Sequence, residues 1–380
     1  MIELKGCQEL ETKVIKEGLC SLCGACVGMC PYLMVYQGRI VLRDICTISQ
    51  GRCTAFCPKI SVDLESLSQE IFSAPYTWDE LGMVQKVFMA RSADATVRAK
   101  AQDAGVVTAL TVFGLEQGFI DSAVLTLFKD KSLPKGVIAS SRQKVLECTG
   151  SSYMGAPTIE AFNRATQDDG CKNIGVIGTP CQVLALARMR AAPAEMCKNM
   201  DRLKLVVGLF CTWALSYVDF AQFLEREVPG HIVKYDVPPH PANVLIAYTE
   251  KERIDIPLEK VLPFVKPACS MCSDLTAEFA DISVGSGRRE VLDWNTVIVR
   301  TERGMRLIDA AIKKGVIETR DIPDENLSRL KSASANKKKR ALKNIIQKTG
   351  SPDNLLYLKT RAEMVKPFLE EWEREGIKDA

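Results

Sequence analysis

The feature that most constrains this chain is a run of four cysteines near its amino terminus: Cys20, Cys23, Cys26 and Cys30. With the proline that follows, the run reads C-x2-C-x2-C-x3-C-P, a spacing typical of thiolates that hold four-iron, four-sulfur clusters. In that pattern the first three thiolates hold one cluster and the fourth ligates a neighbouring cluster. Zinc sites usually pair two C-x2-C groups or use histidine, and this chain has only 2 histidines. The run therefore predicts an iron–sulfur site.

Composition indicates that these thiols stay reduced. The chain has 380 residues and 15 cysteines, whereas disulfide frameworks belong mainly to small secreted proteins. Its charged amino terminus lacks the apolar stretch of a signal peptide, and the longest apolar run, residues 205–215, is interrupted by Gly208. We therefore expect a cytoplasmic protein without a membrane-spanning segment. The net charge of +3 shows no bias towards nucleic acid.

Three further cysteines follow a predicted pair of strands, in the spacing C-x6-C-x3-C-P: Cys46, Cys53 and Cys57. Two cysteine groups separated by a strand pair form the layout of a small two-cluster ferredoxin. In such proteins the last cysteine of a group crosses to the other cluster. We therefore expect Cys57 to complete the first cluster, and Cys30 to join Cys46 and Cys53 in a second one.

The second head cluster lacks one ligand by this reasoning. A complete copy of the motif carries a cysteine near Ser49 or Gln50, and this chain has none there. Several alternatives stay open from the sequence. Cys7 supplies the fourth thiolate, the site holds three irons, an oxygen ligand takes the place, or the second cluster is absent. The N-terminal region is thus predicted to hold one or two [4Fe-4S] clusters.

Apolar patterning divides the chain into four parts. We expect an α+β ferredoxin-like domain over residues 1–70, a linker over 71–84, an α/β domain over 85–320 and a helical, basic tail over 321–380. In the α/β part, buried runs such as IGVIG alternate with helical stretches such as CQVLALARMRAA. This alternation predicts a mixed, partly parallel sheet covered by helices. Residues 231–258 alternate as antiparallel strands do.

A run of positive charge, from Lys337 to Arg340, marks the tail. Charge runs on helices are usually solvated faces, and this is the interpretation that we adopt from the sequence. Under this interpretation the lysines are exposed and have no specific role. The alternative is a docking site for an acidic partner subunit.

Four more cysteines lie in the α/β part: Cys181, Cys211, Cys269 and Cys272. The first two follow predicted buried strands, and the last two form a C-x2-C pair. Because chemistry in an α/β sheet gathers at the carboxyl ends of the strands, the pair could close over the other two. Four thiolates suit either zinc or a four-iron cluster, and spacing alone does not separate these. Asp274 is either a partner of the Cys272 thiolate or a helix cap.

Residues 83–317 resemble the beta-subunit family of coenzyme F420 hydrogenases and dehydrogenases. The matching segments, in chain order, are KVFMARS, QDAGVVTAL, TGSSYMGAP, IGTPCQ, GLFC, PACSMCSD and ADISVGSGRREVLDWNTVIVRTERG. With its ferredoxin-like head, the chain is most similar to the input subunits of F420H2 dehydrogenases. Several independent motifs carry this resemblance, which extends over most of residues 15–317.

The resemblance implies FAD and one [4Fe-4S] cluster in the α/β domain, with the four core cysteines as the cluster ligands. The implied FAD contacts form three segments: Gly105, Val106 and Thr108; Gly150, Ser151 and Tyr153; and Asp281, Ser283, Gly285 and Ser286. Gly105 precedes a predicted helix whose free N–H groups can hold phosphate. Gly285 allows the backbone to approach a ring closely. The chain contains no G-x-G-x-x-G fingerprint.

The function implied by the resemblance is that of an electron adaptor. Reduced coenzyme F420 gives hydride to N5 of FAD, and single electrons pass through the clusters to ferredoxin or to a partner redox subunit, such as a hydrogenase, a dehydrogenase or a heterodisulfide-reductase-like protein. The direction of this electron flow stays open from the sequence. No catalytic side chain is required, because FAD carries the chemistry. One alternative keeps the family but changes the donor to NADH, ferredoxin or another reducible substrate. Another treats the chain as a non-catalytic wiring subunit or a zinc-stabilised scaffold.

Departures from the family pattern bear on the donor. They are Ala104-Gly105 in place of Gly-Gly, Ser152 in place of lysine, Asp293 before Trp294, and the additional charges Arg288 and Arg289. Losing one lysine and gaining two arginines redistributes charge around the expected pocket. A positive rim would still suit coenzyme F420, which carries a phosphate and a glutamate tail. The identity of the two-electron donor therefore stays open, whereas the resemblance still implies a bound flavin.

Overall fold

The computed structural model describes residues 6–44, 46–238, 241–287, 291, 293–360 and 362–375. Arg288 and Arg289, which were expected at the rim of the pocket, lie outside the described residues. Among the residues that are described, no helix combines the length and the apolar character needed to cross a bilayer.

The N-terminal part is a small cysteine-rich unit with short helices and strands. Its elements are α1 (Gly6–Leu10), a π-helical turn (Glu11–Ile15), β1 (Leu33–Tyr36), β2 (Arg39–Leu42), α2 (Arg52–Ala55), β3 (Val62–Asp63) and α3 (Leu64–Phe72). β1 and β2 pair antiparallel, as expected. Gln37 and Gly38 turn the hairpin with φ values of 46° and 69°, the left-handed backbone that two-residue hairpin turns require.

The central part alternates strands and helices. Its elements are β4 (Lys86–Ser92), α4 (Ala95–Lys100), α5 (Val106–Glu116), β5 (Ser122–Leu127), β6 (Lys135–Ala139), α6 (Arg142–Leu146), α7 (Thr158–Ala165), β7 (Ile174–Gly178), α8 (Pro180–Ala191), a 3-10 turn (Met200–Arg202), β8 (Leu203–Leu209), α9 (Tyr217–Glu227), β9 (Ile232–Asp236), β10 (Val244–Thr249), β11 (Arg253–Pro257), α10 (Leu258–Val261), a 3-10 turn (Leu262–Phe264), α11 (Pro267–Ser270), β12 (Ile282–Ser286), β13 (Asn295–Val299), α12 (Glu302–Lys313) and β14 (Ile317–Arg320). The tail adds α13 (Asp324–Thr349), β15 (Leu358–Lys359) and α14 (Ala362–Glu375).

Within the described residues, eight strands form one sheet in the order β14-β4-β13-β12-β8-β7-β5-β6. The central neighbours β12, β8, β7 and β5 run parallel. The flanking pairs run antiparallel. The predicted mixed, partly parallel sheet is therefore confirmed.

Helices cover both faces of this sheet because its strands are apolar on both sides. Val176 and Val206 face a core that includes residues of α7, α8 and α13. Their chain neighbours Ile177 and Val207 face the opposite core, which includes residues of α5 and α12. A separate antiparallel sheet, in the order β11-β10-β9, packs with α9 around its own apolar cluster. The expected strand alternation over residues 231–258 matches this second sheet.

The segment between α3 and β4 packs against its surroundings. Trp78 is 2% exposed and Tyr76 is 8% exposed. The ring of Tyr76 stacks on Phe279, and the ring of Trp78 lies near Phe368 of α14. These contacts join the N-terminal part, the central part and the tail through one aromatic cluster.

The prediction of a solvated basic face in the tail is wrong. Lys337, Lys338 and Lys339 of α13 are only 4%, 0% and 7% exposed. The physical reason is that α13 packs along the central part, where buried acceptors meet the first two of these lysines. Lys338 pairs with Glu278, and Lys337 donates to a backbone carbonyl of the central part.

Candidate functional site

Four cysteines of the head line one cavity: Cys20, Cys23, Cys26 and Cys57. Apolar side chains such as Leu10, Val14 and Ile40 complete its wall. Burial raises the pKa of these thiols, and the neighbouring thiols raise the pKa of Cys23 and Cys26 further. Such a set of free thiols suits a thiolate-ligated cluster, because bound iron replaces the protons that burial otherwise retains. The structure thus brings Cys57 to the C-x2-C-x2-C run.

A second set of four cysteines also lies in the head: Cys7, Cys30, Cys46 and Cys53. α1, which contains Cys7, packs against α2, which contains Cys53. Burial, followed by the charges of Cys30, Cys7 and Cys46, raises the pKa of Cys53 to about 12. Burial and the nearby Cys46 and Cys30 also raise the pKa of Cys7. Cys7 is therefore the fourth cysteine of this set.

Gly6 allows Cys7 to approach the second set. Its φ is +48°, and a Cβ atom at this position would lie 2.3 Å from the carbonyl oxygen of Ile48 and 3.7 Å from Sγ of Cys46. The N–H of Gly6 donates a 3.1 Å hydrogen bond to the carbonyl of Ser49. A glycine here lets the two backbone segments touch, which a side chain would prevent.

A third set lies at the carboxyl edge of the central sheet: Cys181, Cys211, Cys269 and Cys272. In the parallel strands β7 and β8, Gly178 is paired with Gly208. Cys181 and Cys211 each lie three residues after one of these glycines, at the same edge of the sheet. Burial raises the pKa of Cys211, and the nearby Cys269, Cys181 and Cys272 raise it further. The expected closure of the C-x2-C pair over the two strand ends matches this arrangement.

Backbone and side-chain groups surround these sulfur atoms. The N–H of Ala214 donates a 3.3 Å hydrogen bond to Sγ of Cys269, and Thr179 Oγ1 lies 3.4 Å from Sγ of Cys181. Hydrogen bonds of this kind orient ligands and tune the potential of a cluster. The carboxylate of Asp274 accepts hydrogen bonds from three following backbone N–H groups in a turn, and among the described residues no helix begins there. Sγ of Cys272 lies 3.6 Å from the backbone carbonyl oxygen of Asp274.

The three sets form a continuous series through the molecule. Cys26 is close enough to Cys53 for their charges to interact, which links the two head sets. Cys20 and Cys23 of the first set interact in the same way with Cys181 of the core set. Within the described part of the chain, no group of three or more Cys, His, Asp or Glu is arranged to hold a single metal ion.

Helix α8 joins the core set to the head. Its first turn contains Cys181, and Arg188, two turns later, donates hydrogen bonds to head carbonyls. The acceptors are the carbonyls of Thr54, Ala55, Ile60 and Ser61. The N–H of Ile159 in α7 also donates a 3.0 Å hydrogen bond to the carbonyl of Cys23. The loop that contains Cys57 is thereby fixed against the core.

Of the three expected FAD segments, the one that contains Gly150 has open space beside it. Gly105 has a φ of +77° and directly precedes α5, where the N–H of Val106 donates a 3.3 Å hydrogen bond to the side-chain amide oxygen of Asn295. Gly150 has a φ of +96°, and a Cβ atom there would have no other atom within 4 Å. The hydroxyl of Tyr153 accepts hydrogen bonds from Gln102 and from the N–H of Val237. The space at Gly150 is thus compatible with a ligand, whereas a Cβ atom at Gly105 would lie 3.1 Å from Cγ1 of Val97.

The third expected segment is largely occupied by internal contacts. The carboxylate of Asp281 accepts hydrogen bonds from the N–H of Val206 and from Thr301. The hydroxyl of Ser283 accepts a hydrogen bond from Arg300 and donates to the carbonyl of Ala277. Both side chains are buried, so their hydrogen-bonding capacity is used within the fold.

Gln102 and Asp103 open the matching segment QDAGVVTAL but were not predicted as site residues. Gln102 donates a 2.9 Å hydrogen bond to Asp236. Burial, followed by the charge of Asp236, raises the pKa of Asp103 to about 6. Gln102 and Asp103 lie near Asp236 because β9, a strand of the separate antiparallel sheet, ends beside them. No local motif predicts this tertiary contact.

Comparison with known proteins places the chain among characterised sequences. Two models of the coenzyme F420 hydrogenase/dehydrogenase beta-subunit family match, the N-terminal one over residues 87–163 and the C-terminal one over residues 171–325. The coenzyme F420 hydrogenase subunit beta of Methanosarcina barkeri is 32% identical over 250 residues, which cover 64% of this chain and 84% of that protein.

Two further matches extend the comparison. A protein of the F420H2 dehydrogenase of Methanosarcina mazei is 27% identical over 318 residues, which cover 78% of this chain and 83% of that protein. A chain from a solved structure of the F420-reducing [NiFe] hydrogenase complex of Methanosarcina barkeri has a TM-score of 0.63 and 29% identity. That match covers 70% of this chain and 94% of the solved one.

Proposed function

Because the chain belongs to the coenzyme F420 hydrogenase/dehydrogenase beta-subunit family, we propose that it is an iron–sulfur flavoprotein subunit that exchanges hydride with coenzyme F420. It passes single electrons to a partner redox subunit or to ferredoxin. The observation that carries this proposal is the series of three four-cysteine sets, in which Cys23 lies near both Cys57 and Cys181. A continuous series of thiol sets is what a relay between separate clusters requires.

Each set would hold one [4Fe-4S] cluster. The ligands would be Cys20, Cys23, Cys26 and Cys57 in the first head cluster, Cys7, Cys30, Cys46 and Cys53 in the second, and Cys181, Cys211, Cys269 and Cys272 in the core. Including Cys7 supplies the ligand that the motif lacks. The donor sets consist of cysteine alone, which suits iron–sulfur clusters.

FAD would lie beside α5 and Tyr153, against Gly105, Val106, Thr108, Gly150 and Ser151. The segment of Asp281, Ser283, Gly285 and Ser286 would contribute backbone contacts, since the side chains of Asp281 and Ser283 have internal partners. Bound FAD would convert hydride transfer from a two-electron carrier into two one-electron transfers with release of one proton. The chain itself orients the cofactor and holds the Cys57 loop against the core through Arg188.

The test is anaerobic mixing of the purified full chain, loaded with FAD, with either F420H2 or NADH. We expect F420H2 to bleach first the flavin absorbance and then the cluster absorbance. Bleaching by NADH with no response to F420H2 would overturn F420 as the donor. No response to any two-electron donor would favour a wiring subunit without its own substrate.

The Cys181→Ser variant separates reduction of the flavin from reduction of the head clusters. We expect F420H2 to reduce the flavin of this variant while the head clusters stay oxidised, because the core set has lost a ligand. Cys171→Ser is a matched control, since Cys171 is buried outside all three sets. Equal cluster reduction in both variants would contradict the proposed path through the core.

A further inference from the structure

Two lysines from distant parts of the chain have their ammonium groups at the core cysteine set. Lys59 belongs to the head, and Lys337 belongs to α13 in the tail. Both are buried, at 4% exposure each. Both also lie outside residues 87–163 and 171–325, the ranges that the family models match. They are therefore features of this chain beyond the matched family domains.

Lys59 lies between the first head set and the core set. It follows Cys57 by two residues, and it lines a cavity together with Cys181 and Cys272. Its ammonium group donates a 2.8 Å hydrogen bond to the hydroxyl of Tyr357 and a 3.3 Å hydrogen bond to the carbonyl of Met271. Residues of the tail and of the C-x2-C segment thus fix this charge between two thiol sets.

Lys337 lies in the tail helix α13 and contacts the core set from there. Its ammonium group donates a 2.5 Å hydrogen bond to the carbonyl oxygen of Cys211, one of the four cysteines. Both lysines hydrogen-bond to carbonyl or phenol oxygens rather than to carboxylates. Of the nearby carboxylates, that of Glu278 pairs with Lys338, and that of Asp274 accepts backbone N–H groups.

A buried ammonium group is costly unless negative charge compensates it. Thiolate-ligated iron–sulfur clusters supply such charge, and reduction adds one further negative charge. A fixed positive charge nearby therefore stabilises the reduced form more than the oxidised form. The effect is strong in a buried site, because water does not screen it.

We propose that the positive charges of Lys59 and Lys337 raise the reduction potential of the core cluster and so make it a better electron acceptor. This inference rests on the proposed function, since it requires a cluster at the core set. Lys59 also lies beside Cys57, so its charge acts on the first head cluster as well. Lys337 acts on the core cluster alone.

The test is a redox titration of the full chain, followed by EPR, with Lys337→Met and Lys337→Gln. Glutamine keeps a hydrogen-bond donor for the Cys211 carbonyl but removes the charge. At a fixed solution potential, we expect both variants to lower the reduced-to-oxidised ratio of the core cluster about tenfold, equivalent to about 59 mV for one electron. The head clusters should not shift. Lys59→Met should shift the core cluster and the first head cluster together.

Lys331→Met is the matched control, because Lys331 is an exposed lysine of the same helix; it should leave all potentials unchanged. Lys337→Arg retains the charge and should keep the original potential. An unshifted core potential in Lys337→Gln, with full iron and sulfide content, would overturn this inference and leave the proposed function intact. Absence of any core EPR signal in the unsubstituted protein would instead overturn the proposed function.

Discussion

The ammonium group of Lys338 lies 2.5 Å from the carboxylate of Glu278, and the two side chains are 0% and 2% exposed. The hydroxyl of Tyr76 donates a 2.7 Å hydrogen bond to the same carboxylate. This buried group joins three distant parts of the chain: the tail helix, the region that follows the C-x2-C pair, and the segment between head and core. The tail is therefore an integral part of the packed core.

Replacing Lys338 by methionine should destabilise the protein strongly. Lys338→Met leaves the Glu278 carboxylate buried without its cation, and breaking a buried pair in this way costs about 3 kcal/mol or more. Thermal unfolding under anaerobic conditions measures the change. The exposed Lys331→Met on the same helix should stay within about 0.5 kcal/mol of the unsubstituted protein. Equal melting temperatures for the two variants would contradict a structural role for the pair.

Removing the Cys7 thiol should eliminate the second head cluster. Because Cys7 lies with Cys30, Cys46 and Cys53, Cys7→Ala is expected to lower the iron content by about a third if three four-iron clusters are present. Iron and sulfide analysis, together with the head EPR signals, measures this. Cys148→Ala is the control, since Cys148 belongs to none of the three sets. Unchanged iron and EPR signals in Cys7→Ala would exclude Cys7 as a ligand.

Docking of the head on the core should depend on Gly24. Its φ is +88°, and a Cβ atom there would lie 2.6 Å from the carbonyl oxygen of Pro157. Gly230 has a similar φ of +85° but no atom within 4 Å of its Cβ position. Both alanine variants lose about 1 kcal/mol through backbone strain, but only Gly24→Ala also forces the head away from α7.

We therefore expect Gly24→Ala to have the lower melting temperature and slower reduction of the head clusters by F420H2. Stopped-flow absorbance compares the rates of the two variants. Matching rates and melting temperatures would show that the head tolerates displacement at this contact.

The cysteine spacing was sufficient to predict which thiols belong together in the core set, because strand ends and C-x2-C pairs are local signals. The alternation of buried strands and helices likewise predicted the mixed sheet. The place of Cys7 could not be derived, since it depends on α1 packing against α2 and on a glycine contact with Ile48.

The burial of the tail lysines also could not be predicted from the sequence. A run such as Lys337 to Arg340 resembles a solvated face when its partners are unknown. The partners, Glu278 and the carbonyl of Cys211, lie at least 60 residues earlier in the chain. Only tertiary packing shows that the ammonium groups of Lys337 and Lys338 have buried acceptors.

Asp103 should make stability depend on pH. Burial, followed by the charge of Asp236, raises its pKa to about 6, whereas an unfolded chain has about 3.9. The folded protein therefore holds this proton more tightly, and the free energy of unfolding falls as pH rises from about 4 to 6. Asp103→Asn removes this penalty and should be more stable at pH 7 by about 2 kcal/mol.

Melting temperatures at about pH 5 and pH 7.5 measure this dependence, and the advantage of Asp103→Asn should be larger at the higher pH. The exposed Asp309→Asn serves as the control and should show no such trend. A constant difference between Asp103→Asn and the unsubstituted protein across this range would contradict the raised pKa.

If each of the three sets of four cysteines holds one iron–sulfur cluster, the full chain should contain about twelve iron atoms and about twelve acid-labile sulfides after oxygen-free purification. Quantifying iron, zinc and acid-labile sulfide in that material measures this content. Protein that contains zinc but neither iron nor labile sulfide would contradict this prediction.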